Sequence, residues 1–461
     1  MHSGELSRAR PAAPVIDKCA LVPILGCAFA LIVYPILNFV SLSDVRTLQT
    51  QLEARPEPRI FWPVMFAIAV ILAAQNRARL ARLTWPPHII WLIAYLAFAG
   101  ASVLWAFSTE RSLIRFVQQV MIVTSIVLPA MVAPRTSDLM RGLFLCFAFA
   151  LILNGLFVLS GSQAMMTHVS SHGAILEDMG YRGYFEWKNY LGECAAVALL
   201  LSLSEARYSG WRRVSGIVFV VIAILLTYLS DSKTALGLAL ICPLLAALTL
   251  MIRKATRISP ALILLVIPIG YIFLSSISNF NVYRLSYMFY GDSSLTGRTI
   301  IWEFAKQEIS QSPVVGWGYQ SFWLVPNSPA LESHSWVGSM PDAHNGYYDT
   351  LLELGQVGRA LLLAFIFATV HAIGRMADRD PRRAQLVLSL VLYVIFYNFF
   401  ESLWMRGFEF LWVVFLIAAA EIGRYWTRLP VKVAASGAKR RRPRMPGPSP
   451  RPAPSSAHRL S

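Results

Sequence analysis

The feature that most constrains this chain is a series of apolar runs, most close to 20 residues long, separated by short polar or charged segments. A stretch of roughly 20 apolar residues is what a helix needs to cross a bilayer. In hydrocarbon every backbone N–H and C=O must find its partner inside the protein, so such runs can only be helices. Apolar runs bounded by charges fall near 19–41, 60–75, 89–107, 113–132, 139–160, 189–205, 214–229, 234–251, 260–278, 353–373, 384–400 and 407–422. The pattern predicts an all-α integral membrane protein of about twelve transmembrane helices. The run at 60–75 reads as short for a span. With 56% hydrophobic and 14% charged residues, the composition excludes an ordinary soluble domain.

The charge distribution orients the bundle. The chain carries 41 Lys and Arg against 25 Asp and Glu, a net charge of +16. The cations cluster in alternate loops, among them Arg77, Arg79 and Arg82, then Arg207, Arg212 and Arg213, then Arg375, Arg379, Arg382 and Arg383. No single basic face is formed, so nucleic acid is not the expected partner. By the positive-inside rule these loops and both termini are cytoplasmic. The expected organisation is a cytoplasmic N-terminus at 1–18, transmembrane helices 1–9 within 19–278, and a large periplasmic loop at 279–352. Transmembrane helices 10–12 follow within 353–422, and a basic disordered tail occupies 423–461, rich in Pro, Ser and Arg toward its end. The first run reads as a retained span, not a cleaved leader. Cys19, Cys27, Cys146, Cys194 and Cys242 all lie in apolar runs, which points to small hydrophobes and away from a disulfide framework or a metal site.

Three segments on the opposite, outer side carry the chemistry-bearing residues: 161–188, the turn Ser230–Lys233, and the long stretch 279–352. A loop of that last length needs structure or function of its own. Within it, Gly297-Arg298-Thr299 opens a helix that reaches about Gln311 and stops at Ser312-Pro313. Ile301, Phe304, Ala305 and Ile309 share one face of this amphipathic helix, which is expected to lie at the membrane interface. Arg298 falls in the first turn, where the helix dipole disfavours a cation unless an anion is near, so it reads either as a phosphate ligand or as an arginine paired to Glu303 or lipid. Gly316 and Gly318 in Ser312-Pro313-Val314-Val315-Gly316-Trp317-Gly318 signal a tight loop first and a phosphate cradle second. The run Asp342-Ala343-His344-Asn345-Gly346 leads toward the tenth span, and His344 is a group able to take a proton near neutral pH. Arg182 and Lys188-Asn189 flank the sixth span, Lys233 closes a tight turn, and Glu401-Ser402 ends the eleventh. Charges at membrane depth are costly and become functional candidates or interfacial anchors.

Taken in this order, Gly297-Arg298-Thr299-Ile300-Ile301-Trp302, Ser312-Pro313-Val314-Val315-Gly316-Trp317-Gly318, His344-Asn345, and Leu352-Glu353-Leu354-Gly355 with Gly358 resemble the signature of the O-antigen ligase and Wzy-type polymerase superfamily. Ser230 to Thr234 and Glu401-Ser402 are similar to its exopolysaccharide-polymerase branch. The motifs cover roughly 180–405, and the first five spans match in hydropathy alone. The resemblance implies a metal-independent, GT-C-like glycosyltransferase without a cofactor, using an undecaprenyl-pyrophosphate-linked glycan as donor and a glycan or lipid A-core as acceptor. It implies that Arg298 holds the donor pyrophosphate with help from Arg182 and Lys233, that His344 acts on the acceptor hydroxyl, and that Asn345, Glu353, Glu401 and Lys188 support them. Arg359, where an apolar residue is more usual, departs from the pattern and leaves the start of the tenth span open.

Other classes remain as alternatives. Asp378-Arg379-Asp380 has the spacing of a metal-binding carboxylate pair but sits in a short basic loop, and His168 and His172 have i, i+4 spacing without a third ligand. A polysaccharide transporter or flippase would show internal repeats and interrupted helices, and none is apparent. Between the two activities of the superfamily, the Ser-x-Lys-Thr turn and Glu401-Ser402 favour polymerisation over ligation.

Overall fold

The computed structural model describes residues 17–41, 56–161, 165–169, 175–278, 280–281, 283–284, 288, 297–333, 336–407 and 409–426. Each of the twelve apolar runs is a helix. The first, α1, runs as Lys18–Ala28, a π-helical stretch Phe29–Val33 and Tyr34–Ser41; α2 is Pro56–Gln75, α3 Pro87–Ser102, α4 Thr109–Val132 and α5 Leu139–Leu159. Then come α6 (Lys188–Glu205), α7 (Trp211–Leu229), α8 (Lys233–Thr256) and α9, in two pieces, Pro260–Leu264 and Val266–Ile277. After the loop helix α10 (Arg298–Gln311), the chain closes with α11 (Gly346–Arg379), α12 (Pro381–Tyr397) and α13 (Phe410–Arg424). The second run is not short: its helix extends back to Pro56 and has 20 residues.

Nine helices among the described residues are long and apolar enough to cross a membrane. The other three, α6, α12 and α13, are more polar or shorter and lie inside the bundle. All 15 residues of α13 are buried, against α1, α3, α4, α11 and α12. At 1.5 Å per residue it spans roughly 22 Å, less than the hydrocarbon core, which is tolerable because protein and not lipid surrounds it. Around this centre, α7, α8 and α9 turn Val221, Leu244 and Ile272 outward, and the second half of α9 buries no residue at all. The result is an all-α integral membrane protein.

At one end of the bundle the inter-helix loops are tied by ion pairs. Glu205 accepts from Arg141 at 2.6 Å and from Arg212 at 2.8 Å, Asp138 accepts from Arg383 at 3.0 Å, and Glu421 holds Arg383 and Arg424, each at 2.6 Å. The two carboxylates of Asp378-Arg379-Asp380 are used separately here. Asp378 pairs with Arg253 at 2.8 Å, and Asp380 caps α12 by accepting from the Arg383 amide at 3.0 Å, so they do not form a metal pair.

At the other end, α11 begins at Gly346 and is interrupted at Gly355, whose φ of 62° no L-residue adopts readily. The break leaves backbone groups without helical partners, and the Pro313–Gly318 loop supplies them. Trp317 N donates to Leu352 O at 2.8 Å, Gly318 N to Glu353 O at 2.9 Å, Gln356 N to Pro313 O at 2.9 Å and Val357 N to Val314 O at 3.1 Å. The two glycine motifs are therefore halves of one joint: a Cβ on Gly316 would meet the Glu353–Leu354 peptide at 2.5 Å, and one on Gly355 would run into Val314 O. Gly316 and Gly318 thus serve loop packing. The tenth membrane helix proper starts after this joint, which places Arg359 in its first turn and Glu353 before it.

Two further expectations are corrected. Residues 161–188 include an antiparallel hairpin, Met165–Val169 with Ile175–Tyr181, which puts His168 on a strand. The apolar face of α10 is turned into the protein instead of toward lipid: Ile301, Trp302 and Ala305 form a second core with Phe322, Trp323, Val337, Ala343 and Leu352. Its anchor is Trp302, whose indole donates to Ala343 O at 3.0 Å. His172, His334, residues 1–16 and the tail from 427 lie outside the described residues.

The Gly355 joint generates a prediction. Gly355→Ala is expected to destabilise the protein by at least about 2 kcal/mol, the cost of a left-handed L-residue together with a clash. Gly270→Ala, where a Cβ meets nothing within 4 Å, should be neutral. Thermal unfolding of the two variants in detergent compares them directly; equal midpoints would show that the joint contributes little.

Candidate active site

Four segments meet at the end of the bundle that carries the joint: the first turn of α6, the start of α10, the start of α11, and the 398–409 connection between α12 and α13. The described residues of the connection are non-helical and are held by side chains. Asn398 Oδ1 accepts from the Leu403 and Trp404 amides, each at 3.1 Å, and Gly346 N donates to Asn398 O at 2.9 Å. Asn345 caps α11 by accepting from the Tyr347 and Tyr348 amides at 3.0 and 3.1 Å. Its own amide donates to Ser402 Oγ at 3.0 Å and its side chain to Phe399 O at 3.1 Å. His344, immediately before this cap, is held at a φ of 47°, with its amide on Asp342 Oδ1 at 2.8 Å. A non-glycine residue in that region stores strain, which surrounding structure must maintain.

The pinned connection presents Glu401 to three donors. Arg298 Nη2 reaches its Oε1 at 2.7 Å, Asn189 Nδ2 reaches the same oxygen at 3.0 Å, and His344 Nδ1 reaches Oε2 at 2.8 Å. Glu401, and not Glu303, is therefore the partner of Arg298. Burial opposes the carboxylate's charge, but the His344 hydrogen bond, the Arg298 charge and Asn189 prevail and hold Glu401 below the usual range. An ionised carboxylate only accepts, so Nδ1 of His344 carries a hydrogen and Nε2 is the nitrogen that gains or loses a proton. Burial lowers the imidazole's pKa; the Glu401 hydrogen bond and the charges of Asp342 and Glu401 outweigh it and raise the value to about 8. Asp342, whose carboxylate lies 3.8 Å from Nδ1, is raised by its burial. The Nε of Arg298 is buried and has no hydrogen-bond partner among the described residues.

Around this centre, Lys188 pairs with Asp231 at 3.1 Å, and Lys233 stands exposed in the first turn of α8. Arg182 stacks 5.3 Å above the Phe39 ring and donates to Glu186 O at 3.5 Å. The Tyr190 hydroxyl donates to Glu409 at 3.0 Å, and burial lifts that carboxyl to about 8. Glu353 belongs to a separate cluster. It and Asp349 hold Arg406 at 3.3 and 2.9 Å, while Asp349 also accepts from Trp323 Nε1 at 2.7 Å and from the Ala343 amide at 3.1 Å. This cluster clamps the loop core to α11 one residue before His344.

The structure thus brings Arg298, His344 and Glu401 into direct contact, with Asn345 as cap and Lys188 next to a contacting residue. It puts Glu353 in the clamp. Sequence reasoning assigned no role to Asn189, Asp342, Asp349, Asn398 or Arg406. Asp349, four residues after Asn345 on the same face of a helix, carried the one usable signal; Arg406 is indistinguishable in sequence from an interfacial cation.

Residues 217–363 match the sequence model of a family described as O-antigen ligase. That region holds Lys233, Arg298, His344 and Glu353, and leaves out Arg182, Lys188 and Glu401. The chain is 26% identical over 312 residues to the exopolysaccharide production protein ExoQ of Rhizobium meliloti (strain 1021), covering 63% of this chain and 67% of that protein. It is 26% identical over 131 residues to a putative polysaccharide ligase of Rickettsia felis and 25% identical over 131 residues to one of Rickettsia bellii, in each case 27% of this chain and 32% of the relative. The arginine, histidine and glycine-joint motifs lie inside the matched region, with a bundle of apolar helices around them, and together these similarities support the O-antigen ligase/polymerase-like superfamily.

Proposed function

We propose that the protein is an inner-membrane glycosyltransferase that moves an undecaprenyl-pyrophosphate-linked glycan onto an acceptor glycan at the periplasmic face, extending a polysaccharide chain. The observation that carries this reading is the Arg298–Glu401–His344 contact, a phosphate-binding side chain and a proton-accepting one joined by a single carboxylate. The match to the O-antigen ligase family model and the long match to an exopolysaccharide production protein support the reaction class. The family description and the two Rickettsia relatives favour a second reading, ligation of the glycan to lipid A-core at the same site. Both termini are cytoplasmic in this reading, with the basic ion-paired end of the bundle inside.

In the proposed step the acceptor hydroxyl oxygen attacks the anomeric carbon, its proton passes to His344 Nε2, and the bond to the pyrophosphate oxygen breaks with its electron pair leaving on the lipid pyrophosphate. Direct displacement inverts the anomeric centre. Charge grows on the leaving oxygen, and a preorganised guanidinium stabilises it without a metal. Arg298 retains donors for this, because Glu401 occupies one Nη and Nε is unpaired. Among the described residues no three His, Cys, Asp or Glu side chains converge on a metal position. Arg182 and Lys233 add positive charge for the donor, and Lys188 supports the same face.

Protein reconstituted in nanodiscs with lipid-linked repeat units should form a ladder of longer glycans on a gel, and chelation should not abolish it. A product made only when lipid A-core is supplied would select the ligase reading, and loss on chelation restored by magnesium would exclude the metal-free step.

Arg298→Lys is expected to keep the charge but lose most activity, because an ammonium lacks the fork that fits phosphate oxygens. Arg298→Ala should be worse. Wild-type rates in both at equal abundance would reduce Arg298 to an anchor.

His344→Ala should accumulate normally, bind donor, and lose on the order of 10²–10⁴ in transfer rate. The base must be neutral to accept a proton, and its pKa is raised to about 8. The wild-type rate should therefore climb with pH through that value and level off above it. A rate flat from pH 6 to 9 would count against the assignment.

A further inference from the structure

We propose that Glu401 is a shared counter-ion through which occupation of Arg298 by the donor pyrophosphate readies His344 as the base. This rests on the transfer reaction proposed above and names how its two halves communicate.

One carboxylate faces two cationic groups. Its Oε1 takes Arg298 Nη2 at 2.7 Å and Asn189 Nδ2 at 3.0 Å, and its Oε2 takes His344 Nδ1 at 2.8 Å. The stabilisation that Glu401 gives to either cation is reduced by the other, because Arg298 at contact distance neutralises much of the carboxylate's field. The guanidinium has a second valency to offer. Its Nε is buried without a partner among the described residues, a position from which a diphosphate oxygen would complete a bidentate pair.

A diphosphate bound there is an anion of higher charge than the carboxylate and takes over neutralisation of Arg298. The field of Glu401 then falls on His344 alone. The imidazolium that forms as the acceptor proton arrives is stabilised, as a buried carboxylate stabilises the imidazolium of a catalytic triad. Asn189 keeps the carboxylate in place while its other partner changes. Asp342 faces the same ring nitrogen at 3.8 Å, and Arg298 is the cation that faces it; the Asp349–Arg406 pair and Glu409 stand behind. Of these groups, Glu401 alone touches both the donor-binding and the proton-accepting side chain, so Asp342 supplies a constant background and Glu401 the donor-dependent part. The arrangement makes His344 an effective base when a donor is in place and a weaker one otherwise.

The coupling is read from pH profiles of the full-length enzyme in nanodiscs, varying the lipid-linked donor at saturating acceptor. The limb in kcat/KM reports His344 before donor binds, and the limb in kcat reports it in the complex. In the wild type the kcat limb should lie at higher pH by roughly half to one unit. In Glu401→Gln the separation should disappear, both limbs should move to lower pH, and undecaprenyl pyrophosphate should bind several-fold tighter, since Arg298 no longer has an internal anion. Coincident limbs in the wild type would overturn the coupling without any variant. Weaker pyrophosphate binding in Glu401→Gln would also overturn it, by making the carboxylate a holder of Arg298 and not its competitor. A limb that persists in His344→Ala would instead overturn the base assignment on which the coupling rests, so the two failures are distinguishable.

Discussion

In hydrocarbon no backbone polar group can be left without a partner, and the structure depends on how that rule is met where helices stop. Most of the chain meets it with unbroken helix. At Gly355 and across residues 398–409 the helix is given up, and each irregular stretch is covered by another irregular stretch: the Pro313–Gly318 loop by hydrogen bonds across the Gly355 break, and Asn345, Asn398 and Ser402 across the α12–α13 connection. The candidate site occupies the space between these two repairs. Its geometry follows from satisfying the backbone where these helices stop, which places a strained histidine beside a fixed carboxylate.

The electrostatics divide into two acid–base sets separated by a few residues. Asp349 and Glu353 neutralise Arg406 in a clamp that turns the aromatic loop core onto α11. Glu401 meets Arg298 and His344 at a site that is more exposed, with the His344 side chain 32% accessible. Truncating one partner of a buried pair strands the other charge, at a cost of about 3–5 kcal/mol, so the clamp reads as architecture. The second set, open to solvent and holding a half-satisfied arginine, is the one equipped to exchange partners.

Much of this was legible from the chain alone because it follows from local rules. Period and length marked all twelve helical runs, and a turn residue and a Ser-Pro stop bounded α10 at Arg298 and Gln311. The residue pairs were not legible. Arg298 and Glu401 are 103 positions apart, and His344 and Glu401 57, and nothing in a single sequence couples them. The direction of the α10 face was misread because an apolar stripe looks the same against lipid as against protein; Trp302, whose indole needs an acceptor, was the residue that distinguished the two. Arg406 and Arg298 are each an arginine beside a glycine in the sequence, and their three-dimensional surroundings alone separate a clamp from a ligand.

The burial of α13 has a consequence for how the molecule is made. This helix is threaded through the middle of the bundle, and the segment leading into it supplies Glu401, Arg406 and Glu409. Synthesis proceeds from the N-terminus, so the earlier helices are made before this central one exists. The space it fills is lined by α1, α3, α4, α11 and α12 and is closed only when this helix enters. A nascent chain that has not yet reached residue 401 has Arg298 and His344 but not the carboxylate that joins them. The Arg298–Glu401–His344 contact is thus assembled only after the segment that leads into this helix has been made.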